Sequence, residues 1–260
     1  MRLYVYPKVG TTGLCNMLIT WARAVVFAKK TGAQIIAPQW TNFCRIGTFI
    51  RREKDKRLYM KLFTNDGYIT GLKRLWHLAF SNKIDEHKYA DGEKGVVVFS
   101  GHEEGMRLVL KNQDLIRDEF RRITNPLFFK KLEELPKRFI GVHLRSGDFK
   151  KIGFSLSQDY YIRAIEIAQS RIGKDVPVLV FTDATERLDY LTAKFSTLRI
   201  MPKAPALQDI WSLSRSSILV ATNRSTFSAW AAFLGNVHSL WDKNGDPPST
   251  FLGMEDFELI

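Results

Sequence analysis

From residue 139 to residue 235 the chain alternates between short apolar runs and longer stretches with helical spacing. "FIGVHLR" (139–145), "VPVLVFTD" (176–183), "LRIMP" (198–202) and "SILVATN" (217–223) have the β-branched, aromatic-rich character of strands. Between and after them, "SQDYYIRAIEIAQSRIG" (157–173), "TERLDYLTAKF" (185–195), "LQDIWSLSRS" (207–216) and "STFSAWAAFLG" (225–235) read as helices, with Ser157 as a cap and Gly173 and Gly235 as stops. A strand that is apolar at every position is buried on both faces. Strands of that kind separated by helices predict a doubly wound, mostly parallel sheet.

The N-terminal half opens the same way. "RLYVYP" (2–7) predicts a strand, "KVGTTGLCN" (8–16) a glycine-punctuated loop, 17–32 a helix, "QIIAP" (34–38) a strand and "GVVVFSG" (95–101) another. Residues 103–135 predict helices broken at "TNP", with Pro126 in a first turn capped by Thr124 or Asn125. "LPKRF" at 135–139 reads as a linker. The expected organisation is α/β with two Rossmann-like domains, 1–136 and 137–260.

In open parallel sheets, ligands sit beyond the carboxyl ends of the strands. The unusual polar residues of the second half fall there: His143 and Arg145, Asp183, then Asn223 with Ser225, Thr226 and Ser228. The forked guanidinium of Arg145 suits a phosphate, or else an ion pair with Asp148 or Asp183. His143 is either a donor to base or phosphate or a satisfied core histidine. Gly147 permits a tight turn, and Asp148 either orients Arg145 or caps that turn. Asp183 is equally a ribose or base acceptor and a helix cap. Ser225 and Thr226 open a helix whose free N–H groups and positive dipole end suit phosphate, and ordinary capping by Ser225 holds in either case.

Composition narrows the partners. The net charge of +12 favours anionic ligands. Residues 45–88 are dense in Arg and Lys interleaved with aromatics. They read as a solvated helical face whose aromatics reach the core, or as a surface for a polyanionic or anionic membrane partner. No nucleic-acid module is present, so nucleic acid is not an expected partner. Two cysteines, Cys15 and Cys44, make no disulfide framework and point to reduced thiols in the cytoplasm. The opening "MRLYVYPKVG" reads as neither a secretory signal nor an anchor. The histidines are dispersed and match no metal motif, so no metal and no resident cofactor is expected.

At these residues the chain resembles the GT-B fucosyltransferase superfamily, most closely the α-1,2-fucosyltransferase-like glycosyltransferases of family 11. "GVHLRSGDF" is similar to that group's H-x-R-x-G-D signature and "LVFTDA" to its strand ending in F-[ST]-D. "DIWSLSRSSILVATNRSTFSAWAAFLG" is similar to its C-terminal block, and "TTGLCNML" to its G-G-L-G-N-Q loop. The chain departs from the pattern at Cys15, Met17, Ser146 and Ala229. The resemblance implies a GT-B-like fold and metal-independent, inverting transfer of L-fucose from GDP-β-L-fucose to a glycan hydroxyl, in α-1,2 linkage. It implies Arg145 on the β-phosphate and His143 and Asp183 at the guanosine. Ser225, Thr226 and Phe227 would lie around the pyrophosphate and sugar. Gly13 and Asn16 would lie on the donor side of the first domain, and Asn223 and Ser228 complete the expected donor set. Arg145 and Asp148 are the expected catalytic residues; Glu103 and Glu104 are further candidates for a base. The acceptor is a glycan, with a lipid-linked one fitting the basic segment. A binding protein of the same fold without turnover, or a transferase of another sugar nucleotide or linkage, is the alternative.

Overall fold

A computed structural model describes residues 2–10, 12–40, 59–101, 106–145, 157–183, 188–245 and 256–260. The chain forms two compact units, Met1–Asn125 and Pro126–Ile260. The division falls upstream of the 135–139 segment.

The first unit contains β1 (Leu3–Pro7), α1 (Leu14–Thr31), β2 (Gln34–Ile35), α2 (Gly71–Phe80), β3 (Lys83–Asp85), β4 (Gly95–Phe99), α3 (Met106–Leu110) and α4 (Gln113–Ile123). Its four strands run parallel in the order β2-β1-β4-β3. The order reverses between β1 and β4. α1 is buried along nearly its whole length, because it lies on β1 and is covered in turn by α3 and α4. Gly32 ends it in the left-handed region (φ 73°), its N–H donating to the Ala28 carbonyl.

Three expectations change here. α1 starts at Leu14 rather than 17, so Asn16 belongs to a first helical turn and not to a loop. Pro126 is itself the residue before the next helix. The Thr124 hydroxyl donates back to Phe120 and the Asn125 amide to Lys61, while Pro126 has helical dihedrals (φ −62°, ψ −19°). The aromatics of α2 do not reach the core, since no residue of this helix is buried. Cys15 is a buried free thiol; Cys44 lies outside the described residues.

The second unit contains α5 (Leu127–Leu132), β5 (Ile140–Leu144), α6 (Gln158–Ile172), β6 (Val178–Thr182), α7 (Asp189–Thr192), β7 (Leu198–Ile200), α8 (Ala206–Leu213), β8 (Ile218–Val220), α9 (Thr226–Gly235), β9 (Ser239–Trp241) and β10 (Phe257–Leu259). Six parallel strands run in the order β10-β9-β8-β5-β6-β7. The strand order reverses between β5 and β8, which makes their carboxyl ends the topological switch point.

The strands alternate their side chains between two cores. Ile140, Val142, Leu144, Val178, Val180, Ile218 and Val220 pack with Tyr160, Ala164 and Ile165 of α6. Phe139, Leu179, Phe181 and Leu219 pack with Leu213 of α8 and Ala231 and Ala232 of α9. His143 therefore faces α9. Two glycines let α8 come this close. A Cβ at Gly141 would stand 2.9 Å from the Ser216 side chain, and one at Gly235 would stand 2.0 Å from the Ser214 carbonyl oxygen. Gly235 is thus the last residue of α9, chosen for close approach; the left-handed terminator is Asn236 (φ 49°).

Among the described residues no helix is long and apolar enough to cross a membrane.

Candidate functional site

β5 and β8 are neighbours, so residues just past their ends meet. The junction is organised by Thr222, which is fully buried. Its hydroxyl donates to the His143 carbonyl (2.6 Å) and accepts from the Arg145 N–H (3.2 Å). With that proton committed, the Tyr161 hydroxyl, 3.0 Å away, is the donor in their contact. Burial pushes the Tyr161 phenol well up, so it keeps this proton.

The Thr222 N–H donates to Ser228 Oγ (3.1 Å), and that hydroxyl lies 2.7 Å from His143 Nδ1. Ser228 Oγ accepts the backbone proton and shares a second hydrogen bond with Nδ1, in which either atom can be the donor. Phe227 stacks on the same ring, centroids 4.8 Å apart and planes inclined by 24°. Burial drives the His143 pKa down to about 3; the Arg145 charge lowers it further and the Asp183 charge opposes this. Neutral His143 thus sits within electrostatic reach of both flanking charges, and the three strand ends come together around it.

Ser225 precedes α9 as its cap, and its Oγ accepts from the Ser228 N–H (3.4 Å). Thr226 and Phe227 occupy the first turn, where backbone N–H groups have no intrahelical acceptor. Ser225 and Ser228 are fully buried, whereas Thr226 and Phe227 keep partial access to solvent.

Asn223 is occupied on both polar ends. Its amide donates to the Asp242 carbonyl (2.7 Å) and its oxygen accepts from the Asp242 N–H (3.1 Å). It braces the loop after β8 against the end of β9. Asp183 is exposed just past β6. Asp148 lies outside the described residues, as do Ser146, Gly147, Glu103 and Glu104.

Beside α8 there is a hollow of about 170 Å³, lined by Phe181, Met201, Gln208 and Asp209 among others. Phe181, which lines the hollow, is the β6 partner of His143. Burial raises the Asp209 carboxyl to about 7. Asp209 and Thr222 both escaped the sequence reading. Asp209 sits mid-way through an amphipathic helix, and Thr222 sits inside an apolar run. Only the approach of helix and strand makes either one part of a site.

The first unit holds the two remaining expected residues. Gly13 precedes α1 as its cap in an extended conformation (φ −65°, ψ 157°), and its carbonyl accepts from the Asn16 N–H (3.0 Å). The Asn16 Oδ1 is buried and has no hydrogen-bond partner among the described residues. Among the described residues no three His, Cys, Asp or Glu side chains cluster as metal ligands would.

No curated protein matches the sequence. Solved structures do. NodZ alpha-1,6-fucosyltransferase co-crystallized with GDP is 17% identical, covering 95% of this chain and 99% of its own, with a TM-score of 0.63; another NodZ structure names Bradyrhizobium as the source. POFUT1 in complex with GDP-fucose is 13% identical over 92% of this chain and 97% of its own (TM-score 0.57). A variant of FUT1 from Arabidopsis thaliana in complex with GDP is 13% identical over 96% and 72% (TM-score 0.53). These likenesses show the fold. The Glycosyl transferase family 11 model matches residues 95–246, more than half of the chain, and its span holds His143, Arg145, Asp183, Asp209 and the start of α9. With that match across the switch point and its ligand-facing strand ends, the chain belongs to glycosyl transferase family 11.

Proposed function

We propose that this glycosyltransferase moves L-fucose from GDP-β-L-fucose to a hydroxyl of a glycan acceptor, inverting the anomeric centre, in α-1,2 linkage and without a metal. The observation that carries the reading is the knot at the switch point. Thr222 and Ser228 fix the Arg145 backbone, a neutral His143 and the start of α9 to one another. The structural neighbours support the donor, since NodZ was soaked with GDP-fucose and POFUT1 was solved with it.

Glycosyl transfer leaves negative charge on the departing diphosphate. Preorganised donors aimed at that charge are the largest catalytic resource available to such a site. Arg145 offers a bidentate fork for the β-phosphate, and the Thr226 and Phe227 N–H groups with the dipole of α9 serve the pyrophosphate. The buried imidazole of His143, with Phe227 stacked on it, adds a polar group that stays neutral at physiological pH. The hollow with Gln208 and Asp209 seats the base, where a carboxylate accepts from the N–H edge of guanine; Asp183 serves the ribose. Ser225 and Asn223 hold the loop, and Gly13 and Asn16 are the proposed donor contacts of the first unit. Asp148 follows Arg145 in sequence and is the candidate base for the acceptor hydroxyl. NodZ is an α-1,6 enzyme on the same fold, so the linkage is a property of the acceptor side.

The test is turnover of labelled GDP-fucose, with GDP-mannose and UDP-galactose beside it, by wild type and Arg145→Lys. Expected are consumption of GDP-fucose by the wild type and a loss of roughly 10²–10³ in turnover in the lysine variant, which keeps the charge but not the fork. Preference for another sugar nucleotide, or full turnover in a folded Arg145→Lys protein, overturns the reading. Tight GDP-fucose binding with no turnover makes the chain a binding protein instead.

A further inference from the structure

α2 has its amphipathicity turned outward. Positions 72, 75, 76, 79 and 80 follow the spacing of one helical stripe, and all are apolar: Leu72, Leu75, Trp76, Ala79 and Phe80. On a helix that covers a sheet, such a stripe belongs against the sheet. Here Leu72 is 83% exposed, Leu75 57%, Trp76 54% and Phe80 76%. The Trp76 and Phe80 rings are 6.2 Å apart, so the exposed stripe includes a joined aromatic pair.

The inward contacts are polar and aromatic. The His77 ring packs on Tyr4 of β1 with centroids 4.0 Å apart. Arg74 Nε donates to the Ala37 carbonyl (2.8 Å), and the guanidinium lies over the Tyr6 ring at 5.7 Å. These contacts fix the rotation of the helix and point the stripe away from the sheet.

Along the chain through α2 the charge has one sign. No Asp or Glu occurs from residue 67 to 84, while Lys73, Arg74 and Lys83 do. Across Met1–Asn125 there are 22 Lys and Arg against 12 Asp and Glu; the second unit has 17 against 15. Nearly all of the net positive charge therefore belongs to the unit that carries the stripe.

We propose that α2 is a membrane-contact helix that lays Leu72, Leu75, Trp76 and Phe80 into the interface of an anionic bilayer. Leu, Trp and Phe on one face with basic residues on the other is the pattern of helices that lie in the headgroup plane, and Trp favours that depth. Anionic headgroups complement the basic unit that surrounds the stripe. A second copy of the chain is the poorer occupant, because pairing these faces brings two strongly basic units together. The inference stands apart from the donor reading and draws on none of its residues.

Vesicle flotation tests it, with phosphatidylcholine alone and with roughly one-third phosphatidylglycerol, comparing wild type with the double variant Trp76→Ser, Phe80→Ser. Both replaced side chains are exposed, so far-UV circular dichroism and the thermal midpoint should be unchanged. Wild type is expected to float with the anionic vesicles, less so at high salt. The double variant is expected to bind at least about tenfold more weakly. Equal flotation of the two proteins, or wild-type binding indifferent to phosphatidylglycerol, overturns the proposal. So does a wild-type dimer that the double substitution converts to monomer, since a second copy then covers the stripe.

Discussion

His143 and Asp209 are two titratable groups on the same side of one sheet, and burial moves both toward their neutral forms. His143 is driven down to about 3, so it does not gain charge between pH 5 and 8. Asp209 is raised to about 7 in its hollow, where Lys131 and Glu134 also line the wall. The folded protein therefore holds the Asp209 proton through the window from about 4 to 7, where the unfolded chain has lost it. Stability from this carboxyl is complete below that window and falls as pH rises through it. Asp209→Asn should remove the slope and stabilise the protein at pH 8 by about 1–3 kcal/mol, less than the full linkage value because solvent reaches the hollow. Urea melts of both proteins from pH 4 to 8 check this. Parallel curves would contradict the environment assigned to Asp209.

At the scale of elements, the knot between β5, β8 and α9 does what no single residue does. Thr222 satisfies the Arg145 N–H, the His143 carbonyl and the Tyr161 hydroxyl with one side chain. Replacing it by valine keeps the shape and removes all three hydrogen bonds in a buried place. Thr222→Val should cost about 1–3 kcal/mol in a denaturant melt and lower donor turnover through a misplaced Arg145. An unchanged melting profile would mean that the three groups find other partners. This is also where the sequence was least legible. The apolar strands, the helix at 225–235 and the polar strand ends could be read directly, because burial on both faces and capping chemistry leave local marks. His143, Arg145 and Asp183 were picked out that way as candidates, and the Ser225 cap was read directly. Thr222 left no such mark, since its meaning depends on which strand lies beside β8. Asn223, expected among the donor contacts, turned out to have both polar ends taken by Asp242. The stop at Gly235 was legible as a glycine but not in its cause, which is the Ser214 carbonyl 2.0 Å from where a Cβ would stand. The apolar stripe of α2 was visible as composition in 45–88; that it faces outward follows only from the Tyr4 and Ala37 contacts.

At the scale of the whole molecule, two parallel sheets divide the labour. The second unit is nearly neutral by composition and carries the switch-point site; the first holds most of the positive charge and an outward apolar helix. The chain belongs to family 11 and shares its fold with fucosyltransferases solved with GDP or GDP-fucose, which supports the proposed nucleotide donor. The central claim is that Arg145 and the start of α9 grip a pyrophosphate, so that the phosphates supply much of the donor's affinity. Calorimetric titration of GDP against guanosine tests this most directly. The account predicts that GDP binds at least about a hundredfold more tightly, a difference of roughly 2.7 kcal/mol. Equal affinity for GDP and guanosine would contradict it.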